Sequence, residues 1–283
     1  MIFKRRELTS RSTNPLQGKR GKRVIALQID KRQKFILGVL VLSFMLFLSE
    51  YQFAKSGIVV ATIMAIVTDV ILYWAVKDDL QDNFSWSIFT LPFFYSLAFA
   101  LFYFLIPTRL IFRLILTTLY ALGLYSLYLS KNIFIVSSIR TIALLSGARI
   151  VSFILTLLSY FFLTNTLFSL HREIYITVPF LALYTYPLVY QALWSYNLQK
   201  GSISLKEWAG VVTICIIELS CVVWFWPSTP TVISLFLTGI LYTLVGLSHV
   251  WFDKRLFRSV MWEYVWVGVI VFFVLVLFTS WGK

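Results

Sequence analysis

Runs of about 20 apolar residues, repeated along the chain with only short polar breaks, constrain this protein more than any other feature. At 1.5 Å per residue, one such run matches the ~30 Å of hydrocarbon in a bilayer. Inside hydrocarbon every backbone N–H and C=O must be paired within its own segment, which leaves helix as the local structure. Composition closes off a soluble domain. Hydrophobic residues make up 59% of the chain and charged ones 13%, against roughly 25% charged in a typical soluble domain. The mean hydropathy is +0.83. The expected fold class is therefore all-α: a polytopic transmembrane helical bundle of about nine spans, eight to ten, with a cytoplasmic amino terminus.

Reading the runs in order places spans at about 35–53, 56–76, 86–106, 110–129, 140–166, 174–197, 205–226, 230–251 and 260–281. Span four is followed by an amphipathic link, NIFIVSSIR. Trp86, Trp194, Trp208, Trp226, Trp251, Trp262 and Trp281 fall near predicted ends, as an interfacial aromatic belt requires. Pro92, Pro179 and Pro187 lie within spans, where they can kink a helix and free carbonyls. Loops of a few residues leave no room for a large extramembrane domain, so residues 35–283 read as a single transmembrane domain. The long basic stretch before Phe35, and the absence of a small-residue cleavage site after the first run, predict that this run is retained.

The net charge of +13 is concentrated at one end: 11 of the 25 Lys and Arg residues lie within the first 34 positions. Residues 1–34 read as a basic, largely disordered tail, with a short interfacial helix expected over 24–34. Such a tail is drawn to anionic lipid headgroups by about 1 kcal/mol per basic residue. No stacking platform accompanies it, so nucleic acid is not an expected partner; the bilayer is. With the amino terminus inside, inner segments hold 19 basic residues and outer ones 5. Excluding the tail, the ratio is 8 to 5. That bias predicts a plasma-membrane protein with its carboxyl terminus outside.

Ionisable residues within spans are rare and point to a protein interior, a water-filled cavity or a functional site. The segment Ser137–Leu170 carries two arginines, Arg140 and Arg149. Nine positions apart, they lie on opposite helix faces, so Arg140 is expected to reach the interface and Arg149 to look into the bundle. Arg149 shares its face with Ser146, Ser152, Phe153 and Thr156. Asp69 in span two lies at a similar depth, which makes an Asp69–Arg149 pair the expectation. The pair reads either as a structural lock between spans two and five or as a substrate or ion site. Glu218 in span seven is a third candidate, either a proton or cation carrier or a neutral acid bonded to a neighbouring helix. Glu50, Glu207, His249 and Glu263 are expected at the interface. Gly239, Thr243 and Gly246 in span eight read as a close-packing face. Cys215 and Cys221, six residues apart on one helix, are too distant to be bridged and read as buried thiols.

The acidic link after span two, KDDLQDN, places Asp78, Asp79 and Asp82 together. Carboxylates so clustered can hold Mg²⁺ along with substrate phosphates. Here the chain resembles the intramembrane prenyltransferases, which have about nine helices and an aspartate-rich motif after helix two. That resemblance implies Mg²⁺-assisted transfer of an isoprenoid from a diphosphate. The family's second aspartate-rich motif would fall in NLQKGSISLKEW, where Glu207 is the only acid, and the first motif here lacks the usual preceding asparagine.

No H-E-x-x-H, Gly-rich phosphate loop or G-x-S-x-G is present. Intramembrane proteolysis by paired aspartates lacks a second deep aspartate. No catalytic residue, metal or cofactor is assigned. The leading reading is a transporter-like or membrane-assembly protein with Asp69, Arg149 and Glu218 as binding or transport candidates. The alternatives are a lipid (prenyl) transferase using Asp78, Asp79 and Asp82, and a structural scaffold.

Overall fold

A computed structural model describes residues 31–53, 56–77, 80, 85–105, 110–137, 144–197, 204–254 and 257–279. The basic tail up to residue 30, Arg140, and Asp78, Asp79 and Asp82 lie outside the described residues. Among the described residues the chain forms nine helices and no strand: α1 (Lys31–Phe53), α2 (Gly57–Val76), α3 (Ser87–Leu105), α4 (Leu110–Ser137), α5 (Leu145–Ser169), α6 (Ile174–Tyr196), α7 (Ser204–Trp224), α8 (Pro230–Phe252) and α9 (Arg258–Leu277). Each is long and apolar enough to cross a membrane. The protein is a multi-spanning helical membrane bundle.

Consecutive spans joined by short connections alternate in direction. We call the face where α1 begins basal and the opposite face distal. Helix α2 packs on α1 and α3, and α1 also packs on α4. Helix α5 is the hub, in contact with α3, α4, α6 and α8, while α7 bridges α6 and α8. Helix α9 rests on α8. The predicted small-residue face makes that last contact: a side chain at Gly239 would collide with Val271, and one at Gly246 with Tyr264. Thr243 donates to the Tyr264 carbonyl at 3.3 Å.

Local signals set the helix ends. Thr229 is extended ahead of Pro230, which opens α8 at the position where a missing N–H loses nothing. Helix α5 stops at His171, whose φ of 46° is left-handed and whose N–H bonds back to the Phe168 carbonyl. Pro92, Pro179 and Pro187 lie inside continuous helices.

Two boundaries differ from expectation. Helix α4 does not stop near residue 129 but runs 28 residues to Ser137, taking in most of the supposed amphipathic link. Its inward face, Leu124, Leu127, Tyr128, Lys131, Phe134 and Ile135, is buried throughout. Helical spacing carries straight across the lysine, and this turns a presumed loop charge into an interior one. Outside the tail, the basic-residue ratio thereby falls from 8 to 7 against 5. Helix α5 starts at Leu145 rather than near 140, so Arg149 stands about one turn from its end, ~6 Å in.

Candidate functional site

Two polar centres lie towards the basal face of the bundle. The first lies among α1, α2, α3 and α4. Thr68 donates to Ser96 Oγ at 2.7 Å, and Ser96 shares a 2.9 Å hydrogen bond with the Tyr120 hydroxyl. Tyr95 donates to the carbonyls of Leu119 and Tyr120 at 3.3 and 3.2 Å. That approach depends on Gly123, where any Cβ would collide with the Tyr95 hydroxyl. Tyr128 crosses from α4 to donate to the Thr68 carbonyl at 3.0 Å. These tyrosines are fully buried, and each hydroxyl finds a partner, as burial of a polar group demands.

Asp69 follows Thr68 on α2, seven residues from the helix end, about 10 Å deep. The opposite charge that it feels belongs to Lys131 of α4. Lys131 is six residues from the end of α4, ~9 Å by the same rise. Its side chain is 0% exposed, and its Nζ lies 5.4 Å from the Phe134 ring centre. Neither Lys131 Nζ nor Asp69 Oδ1 has a hydrogen-bond partner among the described residues. The two charges feel each other across a low-dielectric interior without an ion-pair contact among the described residues, and both leave hydrogen-bonding capacity open.

The second centre joins α5, α6 and α8. Arg149 donates through Nε to the Ser195 carbonyl at 3.1 Å, and its guanidinium lies over the Tyr196 ring, 5.4 Å from the centroid. His249 stacks on the same Tyr196 ring, with centroids 3.7 Å apart, and Phe153 meets His249 edge-on at 5.5 Å. Deeper on the same seam, Gln191 donates to Ser152 Oγ at 3.3 Å and accepts from Thr156 at 3.4 Å. Within the polar face predicted around Arg149, both Ser152 and Thr156 look inward and Gln191 of α6 completes it, whereas Ser146, in the first turn of α5, is exposed.

The structure does not bring the predicted site residues together. Asp69 faces Lys131, whereas Arg149 is bound to the end of α6. Matched depth was a sound argument for a partner, but Lys131 satisfies it as well, on a helix with a neighbouring face. His249 sits in the last turn of α8, near the span end as expected, but is packed into the bundle, 5% exposed, with Nε2 unpartnered among the described residues. Glu218 is exposed on the outward side of α7 in line with Val211, Ile214 and Val222. Among the described residues no neighbouring helix takes its carboxylate. Glu207 and Glu263 are exposed, and Cys215 and Cys221 are free thiols, half-buried in contrast to the expectation of buried ones. Among the described residues no cluster of His, Cys, Asp and Glu could hold a metal ion.

Lys131 is the functional candidate that sequence reasoning missed. Its signal was present in the apolar spacing on either side, which continues at three- and four-residue steps through the charge.

Residues 85–278 match the family model described as "Protein of unknown function (DUF5656)", and the chain belongs to that family. The match spans α3 to α9, so Lys131, Arg149, Glu218 and His249 fall inside it and Asp69 falls before it. No curated protein and no solved structure matches the chain.

Proposed function

We propose that this family member is a proton-linked membrane transport protein of the plasma membrane, with its basic tail on the cytoplasmic side. In this reading Asp69 and Lys131 form the charge-bearing centre of the cycle. One observation carries it: a fully buried lysine and its counter-carboxylate keep unpartnered polar atoms while the Thr68, Ser96, Tyr120 and Tyr128 hydroxyls are bonded. A lock between helices gains most from complete hydrogen bonding, because an unmade bond in the interior costs about 1–3 kcal/mol. A centre that must exchange a proton or a ligand keeps that capacity open. The Thr68, Ser96, Tyr120 and Tyr128 hydroxyls line up beside it as a polar track. Arg149, half-buried one turn from the basal end of α5, takes the role of first contact for an anionic group. Glu218 is assigned to proton exchange from the outward side of α7.

The test uses purified protein in liposomes loaded with a pH-sensitive dye. A proton gradient is imposed and its decay followed for wild type, Asp69→Asn, Lys131→Met and the double variant, each checked for correct folding by size-exclusion profile. Decay at least fivefold faster for wild type than for Asp69→Asn is expected. Equal decay in folded wild type and Asp69→Asn overturns the reading. Restored folding in the double variant, with unchanged decay, leaves the pair a structural lock.

A further inference from the structure

A cavity of about 240 Å³ opens at the distal face, between the turn from α5 to α6 and the turn from α7 to α8. It is on the far side of the bundle from Asp69, Lys131 and Arg149, and the proposed transport centre makes no use of it. Small-molecule pockets usually run to ~300–1,000 Å³, so this one suits a fragment about the size of a headgroup.

Its walls are fixed by the chain itself. The Arg172 carbonyl accepts from Trp224 Nε1 at 3.3 Å and from Thr177 Oγ1 at 3.2 Å, which ties the first turn to α6 and α7. Trp226 Nε1 donates to Thr279 Oγ1 at 2.7 Å, anchoring the second turn beyond α9. Pro227 and Pro230 remove backbone freedom from that turn. His171 keeps a left-handed backbone at a position that glycine usually fills, with Nδ1 at 2.9 Å from the Ser169 carbonyl.

The lining is polar in a single sense. Arg172 and His171 are exposed there, and Arg172 makes no ion pair among the described residues. The one acid in the turn, Glu173, is engaged with the Tyr175 hydroxyl and does not line the cavity. Ser228 contributes a hydroxyl that is buried and without a hydrogen-bond partner among the described residues. A guanidinium offers paired donors to a tetrahedral oxyanion, a serine adds a third donor, and indole rings sit at headgroup level in a bilayer.

We infer that this distal cavity binds a phosphate-type oxyanion, with Arg172 and Ser228 as its donors and Trp224 and Trp226 as its walls. A phospholipid headgroup and free phosphate share that chemistry, and experiment separates them. The full-length protein in neutral detergent is titrated with phosphatidylglycerol, phosphatidylcholine or inorganic phosphate, and bound species are counted by native mass spectrometry. Wild type is expected to retain phosphatidylglycerol at least fivefold better than Arg172→Gln does, with Ser228→Ala intermediate and Lys254→Gln, at the basal face, unchanged. Displacement of the lipid by millimolar phosphate assigns the site to the free anion; no displacement assigns it to the lipid headgroup. Equal retention by wild type, Arg172→Gln and Ser228→Ala overturns the inference, as does a loss in Lys254→Gln equal to that in Arg172→Gln. If Arg172→Gln does not fold, Ser228→Ala alone decides: retention equal to wild type overturns it.

Discussion

Arg149 and Lys131 are both cations within a span and both lie towards the basal face, yet the bundle treats them in opposite ways. Arg149 is half-buried, about one turn from a helix end, and its planar head meets a carbonyl and an aromatic face together. A guanidinium holds its charge and spreads its donors, so partial burial on neutral partners is tolerable. Lys131 has the more compact, more strongly hydrated head and the deeper position, and its Nζ makes no hydrogen bond among the described residues. Among the described residues, the charge of Asp69 and the face of the Phe134 ring offset its burial. The contrast teaches that depth alone does not mark a functional charge. What separates the two cations is whether the charged head finds a hydrogen-bond partner: Arg149 does, and Lys131 does not among the described residues.

Mutation can break that comparison. The largest effect is expected from Lys131→Met or Asp69→Asn alone. Removing one member of a buried pair leaves the other uncompensated, at about 3–5 kcal/mol, read as a lower midpoint in denaturant unfolding of the detergent-solubilised protein. The double variant should return to within about 1 kcal/mol of wild type, because neither unpaired charge remains. A double variant as unstable as the sum of the singles would show that the two residues do not interact. Arg149→Lys is expected to lose about 1–2 kcal/mol, since an ammonium cannot make the carbonyl bond and cover the Tyr196 ring together. An equal loss in Arg149→Lys and Lys131→Met would erase the distinction. Thr68→Val, which deletes the donor to Ser96, should cost about 1 kcal/mol. Glu218→Gln is expected to change stability by less than about 0.5 kcal/mol, because the carboxylate faces out of the bundle.

Much of the architecture could be read in advance because the bilayer imposes one length on every element. The nine spans follow from that length, and most boundaries fall within a few residues of expectation. The end of α4 did not, because a lysine in an apolar stretch was read as a loop charge while Leu127, Tyr128, Phe134 and Ile135 kept helical step on both sides of it. Depth is a one-dimensional quantity, so arithmetic on residue numbers found a level for Asp69. Which helix stands beside α2 at that level depends on packing around the bundle axis, and equal depth does not carry that information. The inward face of α5 was legible for the same reason that its partner was not: Ser152 and Thr156 announce a polar stripe, but Gln191 answers from another helix.

The 28 residues of α4 have one more consequence. Fully helical, they extend about 42 Å, some 12 Å more than typical hydrocarbon thickness. A helix too long for its membrane must tilt, protrude or thicken the lipid around it. Lys131 lies six residues from the end of that surplus, ~9 Å along the axis. Where the surplus protrudes at the basal end, the ammonium stands near the depth where acyl chains give way to headgroups, and lipid chain length becomes a variable acting on it. In short-chain lipid the boundary moves toward the Asp69–Lys131 pair and hydrates it; in long-chain lipid it recedes.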